Sequence, residues 1–150
     1  MFDKQLKKLR RGLAIHGKKY SLEREEVLEM VLQLEGHFSL KDLCKAARES
    51  GRIGADSTIY RNINLLVDFG IVNALRLPGG NVVYETNVES KQHAHCICSG
   101  CGKITPVPLS AEDKDYFNKI CDQNNFTPVS GSFIIRGYCP ECNESLGCVN

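Results

Sequence analysis

The sequence predicts an α+β fold in two parts, an N-terminal winged helix-turn-helix and a smaller α/β unit stapled by cysteines. Three observations predict it. Apolar residues recur at helical spacing in four successive segments before Gly70. Two β-prone runs joined by Pro78-Gly79-Gly80 follow directly, and that tripeptide is strong hairpin-turn chemistry. Beyond them, short β-prone runs and one helical run surround two C-x-x-C pairs. A chain of 150 residues suffices for one ordinary domain or two thin-cored small ones, and a small one gains from a staple.

Taken in order, Leu6, Leu9 and Leu13 alternate with Lys7, Lys8, Arg10 and Arg11 as a basic amphipathic helix ending near Gly17. Ser21 is placed to cap a second helix, Glu23, Glu25 and Glu26 favour its positive end, and Val27, Leu28, Val31, Leu32 and Leu34 form its apolar stripe. Ser39 with Asp42 reads as a capping pair for a third helix, in which Leu40, Leu43, Cys44 and Ala47 face inward. The fourth takes Asp56 or Ser57 as N-cap and closes at Gly70. Ile59, Ile63, Leu66 and Val67 form its inner face; Thr58, Tyr60, Arg61 and Asn64 lie opposite. Residues 71–77 and 81–85 are the strands of the wing. The polar stretch 87–92 reads as a hinge, so the expected boundaries are 1–86, 87–92 and 93–150. Strands at 93–97, 104–107 and 132–138, a helix at 110–124 and a loose tail at 144–150 complete the reading.

The net charge of +1 hides an asymmetry. Residues 1–84 hold 14 Lys+Arg against 10 Asp+Glu, a balance of +4, whereas residues 85–150 hold 5 against 8, a balance of −3. A basic front half suits a polyanion, although such an excess also fits a merely solvated surface. Residues 1–11 are loaded with lysine and arginine, unlike a signal peptide, and no stretch approaches the roughly 20 apolar residues of a membrane span. A soluble, cytoplasmic protein without a membrane partner is expected.

Thiols stay reduced in that compartment, so the eight cysteines point to metal rather than disulfides. Cys98-Ser99-Gly100-Cys101 and Cys139-Pro140-Glu141-Cys142 each let two thiolates enter one tetrahedron from a tight turn. Together they complete an all-thiolate shell for structural Zn2+, with no open position for a substrate. The rival is a thiol-disulfide oxidoreductase using C-P-x-C at a helix start, but the pair lies too near residue 150 for a thioredoxin-like unit. A zinc-dependent protein-interaction module is a further rival. His93-Ala94-His95 places two imidazoles on one face of a strand and Cys96 on the other, half of a borderline-metal site or a plain exposed strand face. Cys44 is read as a core thiol; Cys96 is read as core first, with an alternative ligand or a redox element as the other readings; Cys121 and Cys148 carry no assignment.

With Ser57-Thr58-Ile59-Tyr60-Arg61-Asn62, Leu65-Leu66, Phe69-Gly70-Ile71-Val72, Val83-Tyr84-Glu85, His93-x-His95-x-x-Cys98-x-x-Cys101-Gly102 and the late C-x-x-C, the chain resembles the ferric uptake regulator family over nearly its full length. That resemblance implies a winged-helix domain followed by a dimerisation domain, hence a homodimer. It implies a regulatory metal held by His37, Glu85, His93 and His95, usually Fe2+ but another divalent metal in zinc, manganese, nickel and peroxide-sensing branches. Glu85, rather than aspartate or cysteine, is similar to the iron branch. Pro106 stands where the family usually has a further acidic ligand, and Gln92, Ala94 and Gly131 stand where ligands of an additional site often occur. Proline cannot coordinate, so a four-ligand regulatory site and no third site are expected.

The fourth helix, from Ser57, is then the expected reading helix for a double-stranded DNA operator. Thr58 and Arg61 can bond phosphate or base, and Tyr60 can lie on a thymine methyl in the major groove. Lys18, Lys19 and Arg24 are candidate phosphate or minor-groove contacts, the resemblance implying the same for Lys19 and Arg24. Glu23 precedes Arg24 where the family often has proline.

Overall fold

The computed structural model describes residues 1–87, 93–128 and 130–145. The chain divides into two compact units, Met1–Leu75 with Val82–Val88 and Arg76–Asn81 with Glu89–Asn150. Apart from Asn87, the expected hinge lies outside the described residues, as do Cys148 and the end of the expected tail.

The first unit begins with α1 (Phe2–Ile15), which buries Leu9 and Leu13. It closes in a Schellman arrangement, in which the Lys18 N–H donates to the Leu13 carbonyl (2.8 Å) and the Gly17 N–H to that of Ala14 (3.2 Å). The next helix, α2 (Leu22–Gln33), starts after an extended Ser21 as expected, but the serine side chain makes no capping bond. Strand β1 (Phe38–Ser39) leads into α3 (Leu40–Ser50), whose capping box is complete: Ser39 accepts from the Asp42 N–H, and the Asp42 carboxylate accepts from the Ser39 N–H. The Ser39 hydroxyl, which also donates to that carboxylate, and then the Ser39 N–H hold the Asp42 pKa below its ordinary value.

Helix α4 (Asp56–Asp68) corrects the expected cap. Its N-cap is Ala55, whose carbonyl accepts from the Thr58 N–H, whereas the Asp56 carboxylate lies 3.5 Å from the Arg48 guanidinium. The helix therefore starts on backbone geometry, with Asp56 as an acid in its first turn. Strands β2 (Val72–Arg76) and β3 (Val82–Thr86) flank a short 3-10 turn at Pro78–Gly80, in a sheet of order β1-β3-β2. Pairing of Phe38 with Tyr84 and of Ser39 with Val83 makes β1 a strand, a long-range contact that two residues of local sequence do not announce.

The core of this unit gathers Leu9, Leu13, Val27, Leu28, Leu43, Ile59, Ile63 and Leu66, with Cys44 buried among them as expected. At one edge α1 meets the end of α4. A Cβ added at Gly12 would sit 2.5 Å from the Phe69 ring, so only glycine fits there. Gly12→Ala is expected to lower stability by about 1–3 kcal/mol through overpacking despite alanine's better helix propensity. A denaturant midpoint at or above that of the parent would contradict this packing. Nearby, the Lys8 ammonium (2.8 Å) and the Asn87 amide (3.1 Å) both donate to the Gly70 carbonyl, satisfying a backbone acceptor just past α4.

In the second unit, β4 (His93–Cys98) is central, antiparallel to β5 (Ile104–Pro108) and parallel to β6 (Phe133–Gly137). Helix α5 (Ala111–Gln123) opens with a second capping box, Ser110 with Asp113, and stacks Phe117 on Phe133 with ring centroids 3.5 Å apart. No residue of α5 is buried. The chain continues through Cys139 into α6 (Pro140–Ser145), so the second C-x-x-C follows a strand and opens a short helix, a setting it shares with the redox-active C-P-x-C of the rival reading. Cys96 departs from its expected core place: it is half-buried and lines a cleft of about 310 Å³ with Cys98, Thr105, Ile135 and Tyr138. Among the described residues no helix is long and apolar enough to cross a membrane.

Candidate functional site

The two cysteine pairs converge. Cys98 ends β4, Cys101 follows one tight turn later, Cys139 follows β6 and Cys142 lies on α6; one sulfur from each lies within 4.8 Å of the others. The Cys101 and Cys139 sulfurs are 3.8 Å apart. A zinc tetrahedron with bonds of about 2.3 Å has edges of about 3.8 Å, so the donor set fits that ion.

The backbone prepares the site. The Cys139 N–H donates to the Cys98 sulfur (3.3 Å), and bonds from the Cys101 and Cys139 N–H groups lower the Cys98 pKa to about 6. Cys139 moves the other way, to about 12, because its thiol is hydrogen-bonded to the Glu141 carboxylate. One sulfur is thus a thiolate near neutrality while its neighbour keeps a proton that a metal must displace. Gly100 is a residue that sequence reasoning missed: a Cβ there would lie 2.9 Å from the Cys142 sulfur, so the turn can approach the second pair only without a side chain. Its place inside the first C-x-x-C was the available signal.

The other expected ligands form two pairs, one in each unit. In the first, Phe38 pairs with Tyr84, which brings His37 and Glu85 to the same end of the β1–β3 ladder; their ligand atoms lie within 4.8 Å. In the second, the rings of His93 and His95 share a face of β4, with centroids 4.4 Å apart and His95 almost wholly buried. Pro106 is the cross-strand partner of His95, so the residue that cannot coordinate stands directly beside an imidazole that can.

On α4, Tyr60 is 54% exposed, and Ser57 and Arg61 are exposed, the Arg61 Nε donating to the Ser57 carbonyl (3.3 Å). Thr58 is a correction: expected on this outer face, it is buried, 7% exposed. One turn on, the Asn62 amide donates to the Thr58 carbonyl, so Thr58 and Asn62 widen the inner stripe by one flank. Lys18 and Lys19 are exposed and Arg24 is half-buried.

A winged helix with an outward polar-aromatic face on α4, followed in the chain by a sheet that brings four cysteines together, is the arrangement of the class of metal-binding, DNA-binding regulators. The sequence model of the ferric uptake regulator family matches residues 16–136. The chain belongs to that family, whose members are metal-responsive transcriptional regulators. It is 28% identical over 146 residues to the ferric uptake regulation protein of Campylobacter upsaliensis, covering 95% of this chain and 92% of that one. The ferric uptake regulator of Pseudomonas aeruginosa, solved with manganese, superposes with a TM-score of 0.66 at 25% identity, covering 87% and 97% of the two chains. That of Helicobacter pylori gives a TM-score of 0.63 at 24% identity, covering 95% and 94%, a likeness of fold.

Proposed function

We propose that the chain is an iron-dependent repressor that acts in the cytoplasm as a homodimer on a double-stranded DNA operator. Fe2+, or another divalent metal in its place, is held by His37, Glu85, His93 and His95, while Zn2+ at Cys98, Cys101, Cys139 and Cys142 keeps the second unit folded. The observation that carries this reading is the placing of ligands along the chain: one pair precedes the stretch 87–92 and one follows it. Each pair is assembled within its own unit. A metal that takes both pairs stabilises one arrangement of the two units, and through it one separation of two reading helices in a dimer.

Iron is favoured by Glu85 and by kinship with ferric uptake regulation proteins. Dimerisation is supported by α5, no residue of which is fully buried within the chain, and by Tyr116, Ile120, Phe126 and Ile135, whose exposed apolar surface a second copy would cover. Metal analysis of anaerobically purified protein, combined with operator selection in each metal, tests the whole. Selection driven by ferrous iron is expected. Selection by zinc alone identifies a zinc sensor, loss of binding on peroxide treatment a peroxide sensor, and no duplex binding in any metal an interaction module. Thiols that stay unreactive until a chelator is added distinguish zinc ligation from a thiol-disulfide oxidoreductase.

Tyr60, Arg61 and Ser57 form the proposed contact face of α4, and Lys18, Lys19 and Arg24 are further proposed contacts. Arg61→Ala is expected to weaken operator binding by about 1–3 kcal/mol with the affinity for regulatory metal unchanged, as gel-shift and metal titrations read out. An unaltered operator affinity would remove α4 from the reading.

A further inference from the structure

The link between α1 and α2 is residues 16–21 and carries two of the proposed DNA-contacting lysines, Lys18 and Lys19. One end is fixed by the Lys18 N–H to Leu13 carbonyl bond, and at the other the Ser21 carbonyl accepts from the Arg24 N–H (3.2 Å). Between them stands Tyr20. Its hydroxyl donates to the Glu25 carboxylate of α2, and the Arg10 guanidinium of α1 lies over its ring, 4.8 Å from the centroid. Arg10 also reaches the same Glu25 carboxylate at 3.6 Å. One side chain from α1, one from the link and one from α2 therefore close on each other.

We infer that Arg10, Tyr20 and Glu25 are positioning residues for DNA binding: together they hold the link so that Lys18 and Lys19 meet phosphate without first being ordered. This rests on the DNA-binding reading above. A lysine contributes affinity by releasing counterions from phosphate, but holding a loose link still for that contact costs conformational freedom at the moment of binding. A link anchored by backbone at one end and by Tyr20 at the other has already lost that freedom. The clamp has a second effect. Glu25 satisfies its charge on Arg10 and the tyrosine hydroxyl, leaving Lys18 and Lys19 exposed. An exposed pair such as Arg10 with Glu25 adds little to stability, so the value of the arrangement lies in where it holds the chain.

Tyr20→Phe is the cleanest probe, because it removes the hydroxyl without changing charge and keeps a ring for Arg10. Operator affinity of the full-length, metal-loaded protein is expected to fall about 3–10-fold, with a shallower dependence of log affinity on log salt. Tyr20→Leu, which also removes the ring, is expected to lose at least as much. Thermal midpoint and metal affinity are expected to stay at parental values. In a Lys18→Ala/Lys19→Ala background neither substitution is expected to weaken binding further, a coupling that a merely structural tyrosine would not give. Parental affinity and salt slope in both variants would overturn the inference, as would a loss that persists undiminished in the double-lysine background. If the double-lysine variant binds normally while Arg61→Ala does not, the clamp fails and the DNA-binding reading stands. If the parent binds no duplex, both fail.

Discussion

Chelation of the metal at Cys98, Cys101, Cys139 and Cys142 is expected to unfold the second unit, not merely to loosen it. Structural zinc in small sites carries about 10–16 kcal/mol of apparent binding free energy at neutral pH, against a total stability of about 5–15 kcal/mol for an ordinary domain. The second unit has little else to replace it: α5 buries no residue, and the buried set on the sheet is short, with Ala94, His95, Ile97 and Cys98 its principal members. Cys101→Ser is expected to act as chelation does, since it leaves three thiolates and an incomplete tetrahedron. Zinc content near one per chain, followed with circular dichroism as a strong chelator is added, is the direct measurement. A back half that stays folded without metal would refute the assignment. The transition should come at lower chelator concentration as pH falls, because the metal must displace protons such as the one that Glu141 holds on Cys139.

The second large effect concerns the other ligand set. His93→Ala is expected to abolish the metal dependence of operator binding while leaving the zinc content and fold of the second unit intact. Linkage between metal and DNA of roughly 1–3 kcal/mol corresponds to a 5–150-fold change in operator affinity, and the variant should reduce that ratio to about one. His93 is the informative member because His95 is almost wholly buried, so that replacing His95 would confound sensing with packing. Its removal leaves Glu85, His37 and His95 as three donors. Operator titrations with and without ferrous iron, on parent and variant, give the ratio directly. Full metal-dependent repression by His93→Ala would rule out the proposed ligand set.

Local chemistry explains which features could be read from the chain. Ser39 with Asp42, Gly70 after the fourth helix and Pro78-Gly79-Gly80 are signals written within a few residues, and each appears where it was expected. The C-x-x-C pairs are legible for the same reason, since two ligands on one turn fix half a tetrahedron locally. What failed needed distant partners. Strand β1 exists through its pairing with β3, Thr58 is buried by the way α4 seats on the core, and Cys96 opens on a cleft whose walls come from three strands and the segment after β6. The N-cap of α4 failed differently: Asp56 has the right side chain, but Arg48 takes it.

The sheet order β5-β4-β6 has one more consequence. Strand β6, which carries Phe133, Ile134 and Ile135, lies at an edge and is held parallel to β4, with Cys98 closing one strand and Cys139 following the other. A metal held by the four cysteines, as proposed, would be a bolt across the open end of a parallel pair. When it is drawn, an apolar edge strand is released with its hydrogen-bonding groups unmatched, a ready template for pairing with other chains. Loss of the proposed ion is therefore expected to lead toward insoluble assemblies as well as toward an unfolded chain. Supply of metal to the newly made chain becomes a question of solubility before it becomes one of regulation.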